Sequence, residues 1–336
     1  MARRVPLFAT SRIGSTWESF FQPAHKVIVR VPATTSNLGP GFDSFGLALD
    51  MTNVLTVERA DKFSIEVHGV GAEADDRIPA DESNIIVQSC TKAMNMFTKA
   101  GEQPFEGAPP LRFESLNCVP SMSGLGSSSN ALVLGMAAGL ALSGKEVYSP
   151  NTKKLLLQLA SDEEGHADNI SAAIYGGFQV NFKAPTSDRS YQFITQRVHV
   201  PKGLHCVLFI PDKAQDRDEA RAVMPTGYSR DDTIHNIGRA AMLVNCFATG
   251  QFDALRFAME DRVHQPYRSR FFPVEDLIDA ALAAGAHGAF LSSQGPTYAR
   301  ENSNSGPRTR SLTDSRLAPC LPQGGGHMRR HGRPQW

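Results

Sequence analysis

Apolar and polar residues alternate along "HKVIVRVPA", from His25, and the run is rich in β-branched side chains. That two-residue period predicts a half-buried strand. "LALDMTNVLTVERA", "KFSIEVHGV" and "LRFESLNCVP" read as further strands, and "GGFQVNF", "HCVLFIP" and "GAFLSS" as short ones. The period lengthens in "DESNIIVQSCTKAMNMFTKAG", which predicts a helix capped by Asp81 or Ser83 and stopped by Gly101. "SPNTKKLLLQLASDEEG" predicts another, begun by Ser149 or Asn151 and closed by Gly165. "ALVLGMAAGLAL", "TIHNIGRAAMLVNCFATG", "FDALRFAMED" and "FPVEDLIDAALAAGA" also read as helices. Strands and helices interleave without strict βαβ alternation. The expected class is α+β, in two halves that meet within Lys183 to Phe193.

Three segments interrupt these patterns. "PSMSGLGSSSN", Pro120 to Asn130, sets two glycines and five serines at the entrance to a helix. Such a turn aims backbone N–H groups at one spot, beside the unpaired amides and positive end of the helix. That makes an anion cradle, and phosphate is its usual occupant. Gly124 and Gly126 would let the backbone approach a phosphate; Ser127 and Ser128 would offer hydroxyls to phosphate oxygens or Mg²⁺. The segment is neither a Walker loop nor GxGxxG. "VPATTSNLGPGFDSFGLALD" is a second dense turn, with Asn37 and Asp43 six residues apart. "EEGHADNISAAIYGGF" gathers Glu164, His166, Asp168 and Asn169 after a helix. Acids beside a phosphate cradle would repel the ligand, so a bridging Mg²⁺ is the natural partner.

Composition narrows the options. The 336 residues, 41% hydrophobic, suffice for one large domain or two ordinary ones. No apolar run approaches the roughly 18 to 20 residues that span a bilayer, so no membrane role is expected. Five cysteines lack CxxC spacing, which argues against a zinc site or a disulfide framework and fits unpaired thiols in a reducing compartment. The net charge of zero conceals an asymmetry: from Ala299 onward there are seven Arg, two acids and no Lys. The rest carries 27 basic and 32 acidic side chains, a balance that gives no reason to expect nucleic-acid binding. Residues 1–24 form an N-terminal extension with three Arg and no acid before Glu18. A cytoplasmic setting is expected, with a mitochondrial presequence as the alternative reading of that extension.

The three segments together resemble the GHMP kinase family. "PSMSGLGSSSN" is similar to its phosphate motif, P-x-x-x-G-L-G-S-S-A-A, with Ser129 and Asn130 in place of two alanines. Within the family, "PATTSNLGPGFDSFGLAL" and "GHADNISAAIYGGF" are similar to two motifs of the homoserine kinases. The resemblance spans about residues 25–297. It implies an N-terminal domain like ribosomal S5 domain 2 (25–188) and a ferredoxin-like C-terminal domain (189–298). It also implies ATP and Mg²⁺ as cofactors and L-homoserine as substrate; a homodimer is left open.

Carried over by position, the resemblance puts the nucleotide on Pro120, Ser123, Gly124, Leu125, Gly126, Ser127, Ser128 and Ser129, with Asn84 meeting the adenine. Ser128 and Glu164 would bind Mg²⁺. Asn37, Asp43, His166, Asp168 and Asn169 would surround the substrate. "DRDEARAVMP" and "DRVHQPYR" would supply Arg221 and Arg268, and paired guanidinium groups suit a carboxylate. Where some relatives use an aspartate base, this chain has Asn169. Direct transfer is therefore expected, with Asn37 or Asn169 orienting the hydroxyl and Asp168 binding the ammonium group or ordering the site.

The C-terminus departs from the family. "LSSQGPT", Leu291 to Thr297, resembles L-S-G-A-G-P-T, but the bulkier Ser293 and Gln294 would crowd the site. Beyond Tyr298 the resemblance stops. Residues 299–336 are expected to form a disordered Arg-, Gly- and Pro-rich tail that leaves the second domain incomplete. Three functions stay open on the sequence: an active homoserine kinase, another small-molecule kinase of the superfamily, and a kinase-like product impaired by its altered end.

Overall fold

The computed structural model describes residues 8–9, 24–72, 78–97, 110–187, 190–210, 217–293 and 295–301. A seven-stranded sheet is built from β1 (Phe8–Ala9), β2 (Lys26–Ser36), β3 (Phe45–Arg59), β4 (Ser64–Gly69), β5 (Leu111–Asn117), β6 (Phe178–Pro185) and β7 (Tyr191–Val198). Its path runs β1-β2-β3-β5-β4, and the far end of β3 also pairs with β6, which carries β7. The strand reading of "HKVIVRVPA" holds: Val27, Val29 and Val31 face the core while Lys26 and Arg30 face water. The strand does not end there. Thr34, Thr35 and Ser36, expected as turn residues, continue β2 after a register shift and are buried on both faces. β7 escaped the sequence reading, since only Phe193 of its eight residues is buried. Because β7 pairs with β6 throughout, the expected boundary between 188 and 189 falls inside this sheet.

Helices cover one face. α1 (Ile85–Asn95) packs on α2 (Ser127–Leu142), which is apolar all round and, apart from the partly buried Ala131, buried from Ser129 onward. Gly135 and Gly139 of α2 bring the α1 backbone close: a Cβ at either would lie 2.3 Å from an α1 carbonyl oxygen. α3 (Pro150–Glu164) begins at the expected cap, Ser149, whose hydroxyl accepts from Thr152 N–H, and ends at Gly165. α1 departs from expectation. Its cap is Asn84, while Asp81 accepts from Ser83 in the preceding turn. α4 (Asp168–Tyr175) follows α3 at once.

A second sheet holds β8 (Leu204–Leu208), β9 (Gly288–Ser292) and β10 (Gly295–Glu301), all antiparallel in the order β8-β10-β9. β10 runs three residues past the expected start of the tail at 299. The expected stop Gly101 and the tail from 302 lie outside the described residues. Around this sheet lie α5 (Arg217–Ala222), α6 (Arg230–Thr249), α7 (Leu255–Ala258), α8 (Gln265–Arg268) and α9 (Val274–Ala283). "FDALRFAMED" supplies only the single turn of α7.

The two sheets share an apolar core. Phe45 and Phe178 meet Leu243 and Phe247 of α6, Leu255 of α7 and Phe290 of β9. Edge-to-face contacts run from Phe45 through Phe178 and Phe247 to Phe252, at centroid distances of 4.9 to 5.7 Å. This core fixes the floor beneath the turn that joins β2 to β3. Of the thiols, Cys90, Cys206 and Cys246 are free. Cys118, expected to be unpaired like the rest, is disulfide-bonded. No described helix is long and apolar enough to cross a membrane.

Candidate active site

The loop before α2 takes the shape its glycines permit. Gly124 (φ +78°) and Gly126 (φ +66°) are left-handed, and Gly126 is the N-cap of α2 with no side chain capping the helix. The first amides of α2 therefore remain open to a ligand. A Cβ at Gly126 would sit 2.1 Å from Thr34 Oγ1 and 3.0 Å from Asn169 Oδ1, so this position tolerates no side chain. Ser123 and Leu125 shape the loop from behind. The Ser123 hydroxyl donates to the Pro120 carbonyl, and the Leu125 carbonyl accepts from Thr34 N–H.

A cleft open to solvent lies at this loop. Gly124, Gly126, Ser127, Ser128 and Ser129 line one side, and Asn37, Asp43, Glu164, His166, Asp168, Asn169, Arg221 and Arg268 line the rest. Residues from five separate stretches of the chain thus converge as expected. Asn84, Pro120, Ser123 and Leu125 do not line it. Asn84 is 1% exposed; its Oδ1 accepts from Ile86 N–H, and its amide donates to the Pro79 carbonyl.

The acidic wall is ordered by hydrogen bonds. Ser128 and Ser129 hydroxyls donate to Glu164 Oε1 at 2.8 and 3.2 Å. His166 Nδ1 lies 2.5 Å from Asp168 Oδ1, which also accepts Asn169 N–H at 2.7 Å. Burial alone would raise the Asp168 carboxyl, but His166, the Asn169 N–H and Ser36 outweigh it and hold it below the usual carboxylate value. For His166, burial opposes the charge while Asp168, Asp43 and Glu164 favour it, and the net direction is upward. Asn169 is held at both ends, its Oδ1 by the Thr34 hydroxyl and its amide by Ser36 Oγ. Asn37 is left-handed (φ +72°) and its Oδ1 caps Asp43 N–H, the bond that closes the turn.

Arg221 grips Asp43 bidentately, at 2.8 and 3.2 Å. Arg268 is nearly buried and donates to the Ser293 carbonyl at 2.6 Å and the Ala220 carbonyl at 3.3 Å. Burial, with the neighbouring Arg221, lowers Arg268 to about 10, so it stays charged near neutrality. Ser293 lines the cleft in a left-handed conformation (φ +50°); Gln294 lies outside the described residues. Phe42 and Met122 also line the cleft and were not anticipated. Phe42 was hidden as one apolar residue within a polar turn, and Met122 carried no signal.

Two groupings could take a cation. Glu164 and Ser128 offer hard oxygen donors beside the phosphate-type loop, which suits Mg²⁺. Asp43, His166 and Asp168 hold ligand atoms within 4.8 Å of one another. Those acids already pair with Arg221 and His166, so the first grouping fits a phosphate-bound metal better.

Comparison with known proteins agrees with this geometry. Residues 84–177 match the family model described as GHMP kinases N terminal domain. The chain is 40% identical over 276 residues to a homoserine kinase of Deinococcus radiodurans, covering 82% of this chain and 84% of that protein. It is 38% identical over 275 residues to one from Trichormus variabilis, covering 81% and 84%. A homoserine kinase structure from Cytophaga hutchinsonii superposes with a TM-score of 0.68 at 25% identity, over 86% of this chain and 87% of that one. With the glycine loop, the acidic wall and the paired arginines facing one cleft, the chain belongs to the homoserine kinase family of GHMP kinases.

Proposed function

We propose that the chain transfers the γ-phosphoryl group of ATP to the side-chain hydroxyl of L-homoserine, giving O-phospho-L-homoserine and ADP, a step of threonine biosynthesis. The observation that carries this is the charge pattern of the cleft. Arg221 and Arg268 line the same space as Asp43, Asp168 and Glu164. A neutral sugar brings no charge to exchange with those pairs. A zwitterionic amino acid meets them with its carboxylate and ammonium group.

In this reading the open amides of the Gly124–Ser128 loop bind the nucleotide phosphates. Bound at Ser128 and Glu164, Mg²⁺ would offset the charge of phosphate oxygens. Arg221 and Arg268 take the substrate carboxylate. Asp43 exchanges part of its hold on Arg221 for the ammonium group. Asp168 orders His166 and Asn169 rather than acting as a base, since its contacted oxygen already accepts from both. Of the two asparagines expected to orient the hydroxyl, Asn169 is occupied at both ends of its amide. Asn37 lines the cleft and uses only its carbonyl oxygen in the turn, which leaves its amide for the substrate hydroxyl. No strong base is required, because phosphoryl transfer depends mainly on positioning and charge neutralisation. A cytoplasmic setting belongs to the same proposal. The test is a coupled ADP-release assay on the purified chain with and without L-homoserine. Homoserine-dependent ADP release is expected; equal release without it, or with a neutral sugar alcohol in its place, would overturn the assignment.

A further inference from the structure

A buried imidazole that the transfer step does not use lies behind the arginine side of the cleft. His264 is fully buried, its ring stacked on Phe42 at a centroid distance of 5.3 Å and an interplanar angle of 23°. Its Nε2 lies 2.8 Å from the Gly39 carbonyl oxygen. A carbonyl only accepts, so Nε2 carries the hydrogen, and the lone pair of Nδ1 faces Arg268 Nη1 at 3.5 Å. That tautomer is neutral. Burial, with Arg268 in support, holds His264 below its ordinary value against the opposing pull of Asp261 and Asp43. Asp261 does not need a proton from His264, 3.6 Å away. Its carboxylate already accepts from Asn236 Nδ2 and from the N–H groups of Val263, His264 and Gln265.

The contacts of this ring reach both arginines. The guanidinium carbons of Arg268 and Arg221 lie 5.1 and 5.7 Å from the centroid of the Phe42 ring. Arg268 also bonds the Ala220 carbonyl, next to Arg221 on α5. One stack therefore holds the Gly39–Asp43 turn, Arg268 and the helix that carries Arg221.

We infer that His264, acting through Phe42 and the Gly39 carbonyl, is a positioning residue that sets how Arg221 and Arg268 grip a carboxylate, and so sets the preference for an acidic over a carboxyl-blocked substrate. The inference rests on the substrate assignment above. Replacing His264 by Leu removes both ring nitrogens. His264→Gln keeps an N–H for Gly39, and Phe42→Leu removes the stack at a half-buried site where folding is less at risk.

The experiment compares kcat/KM for L-homoserine and for its carboxamide in the parent and the three variants. Loss of a charge-assisted grip is expected to cut the preference for the carboxylate about tenfold in His264→Leu and Phe42→Leu, with KM for ATP within about twofold of the parent. His264→Gln should retain most of the preference. A general loss of structure would instead depress both substrates and ATP together. The inference is overturned if the preference is unchanged in Phe42→Leu and in whichever His264 variants fold, or if KM for ATP rises in step with KM for homoserine. A parent with no homoserine-dependent ADP release overturns the substrate assignment itself. An active parent that turns over both compounds equally overturns the role of the two arginines and this inference with it.

Discussion

The Ser292 hydroxyl donates to the Gly124 carbonyl at 2.7 Å and accepts from the Thr35 hydroxyl at 2.6 Å. Ser292 ends β9 of the small sheet, Thr35 lies one residue before the end of β2 of the large one, and Gly124 lies in the phosphate-type loop. One fully buried oxygen therefore joins both sheets to the place where nucleotide phosphates are proposed to bind. Ser36 N–H also reaches this oxygen, at 3.4 Å, so loss of the hydroxyl would take a partner from three groups.

Ser292→Ala should leave the Gly124 carbonyl and the Thr35 hydroxyl without this partner. An unsatisfied buried polar group costs about 1 to 3 kcal/mol. We expect the midpoint of urea unfolding to fall by an amount in that range, together with a several-fold rise in KM for ATP. Homoserine KM should change less, because neither arginine touches Ser292. If stability drops and ATP KM stays put, the bond is a fold contact with no bearing on the loop.

Glu164→Gln keeps an oxygen that can accept from Ser128 and Ser129 but removes the charge. Stability should therefore change by less than about 1 kcal/mol. If this carboxylate binds the metal, the Mg²⁺ concentration for half-maximal turnover should rise roughly tenfold or more, the scale of a lost charged interaction. Turnover titrated against Mg²⁺ decides the matter. A midpoint equal to the parent's would move the metal to the Asp43, His166 and Asp168 grouping.

Two left-handed glycines offer a controlled comparison. At Gly165 (φ +85°) an added Cβ meets nothing within 4 Å, so Gly165→Ala should cost only the left-handed penalty of about 1 to 2 kcal/mol. At Gly126 (φ +66°) the same Cβ meets Thr34 Oγ1 at 2.1 Å, and that hydroxyl is already bonded to Asn169. Gly126→Ala should be the more destabilising by at least about 2 kcal/mol, with nucleotide binding lost as well. Thermal unfolding of the two variants side by side tests this; equal losses would mean the loop yields freely. A bulky residue at Gly126 consequently cannot separate nucleotide binding from folding.

Local chemistry was legible where a motif marks a turn. The glycine loop, the Asn37–Asp43 turn and the Glu164–Asn169 run each show dense polar or flexible residues between periodic segments, and each lines the cleft. Long-range partners were not. Nothing in "LSSQGPT" says which serine is buried, and Ser292 acquires its role only when β9 is brought against β2. Asn84 carries a local role that its own chemistry announces. An asparagine just before an apolar helix is a cap by its own chemistry, and the structure uses both ends of its amide for that turn. β7 went unread because a strand with one buried side chain shows no alternation. The short turn α8 begins where the Asp261 carboxylate accepts from the His264 and Gln265 N–H groups, a local bond that leaves no helical period to read.

His166 and Asp168 form a buried pair whose contribution to stability depends on pH in a definite sense. The Asp168 carboxyl is held below its ordinary value, so its contribution is present above about pH 4, the unfolded value, and is lost as pH falls through the lower folded value. His166 is raised, so its contribution is present in full below about pH 6.5 and is lost as pH rises through the higher folded value. The two contributions overlap between about pH 4 and 6.5. Asp168→Asn removes the charge and leaves His166 facing an amide. Breaking one side of a buried pair costs about 3 to 5 kcal/mol. The difference in unfolding free energy between parent and variant should therefore be largest near pH 5 to 6 and shrink as pH rises through the raised folded value of His166. Urea unfolding at several pH values measures it. A difference that stays constant from pH 5 to 9 would mean that Asp168 acts through its hydrogen bond to the Asn169 N–H and not through charge on His166.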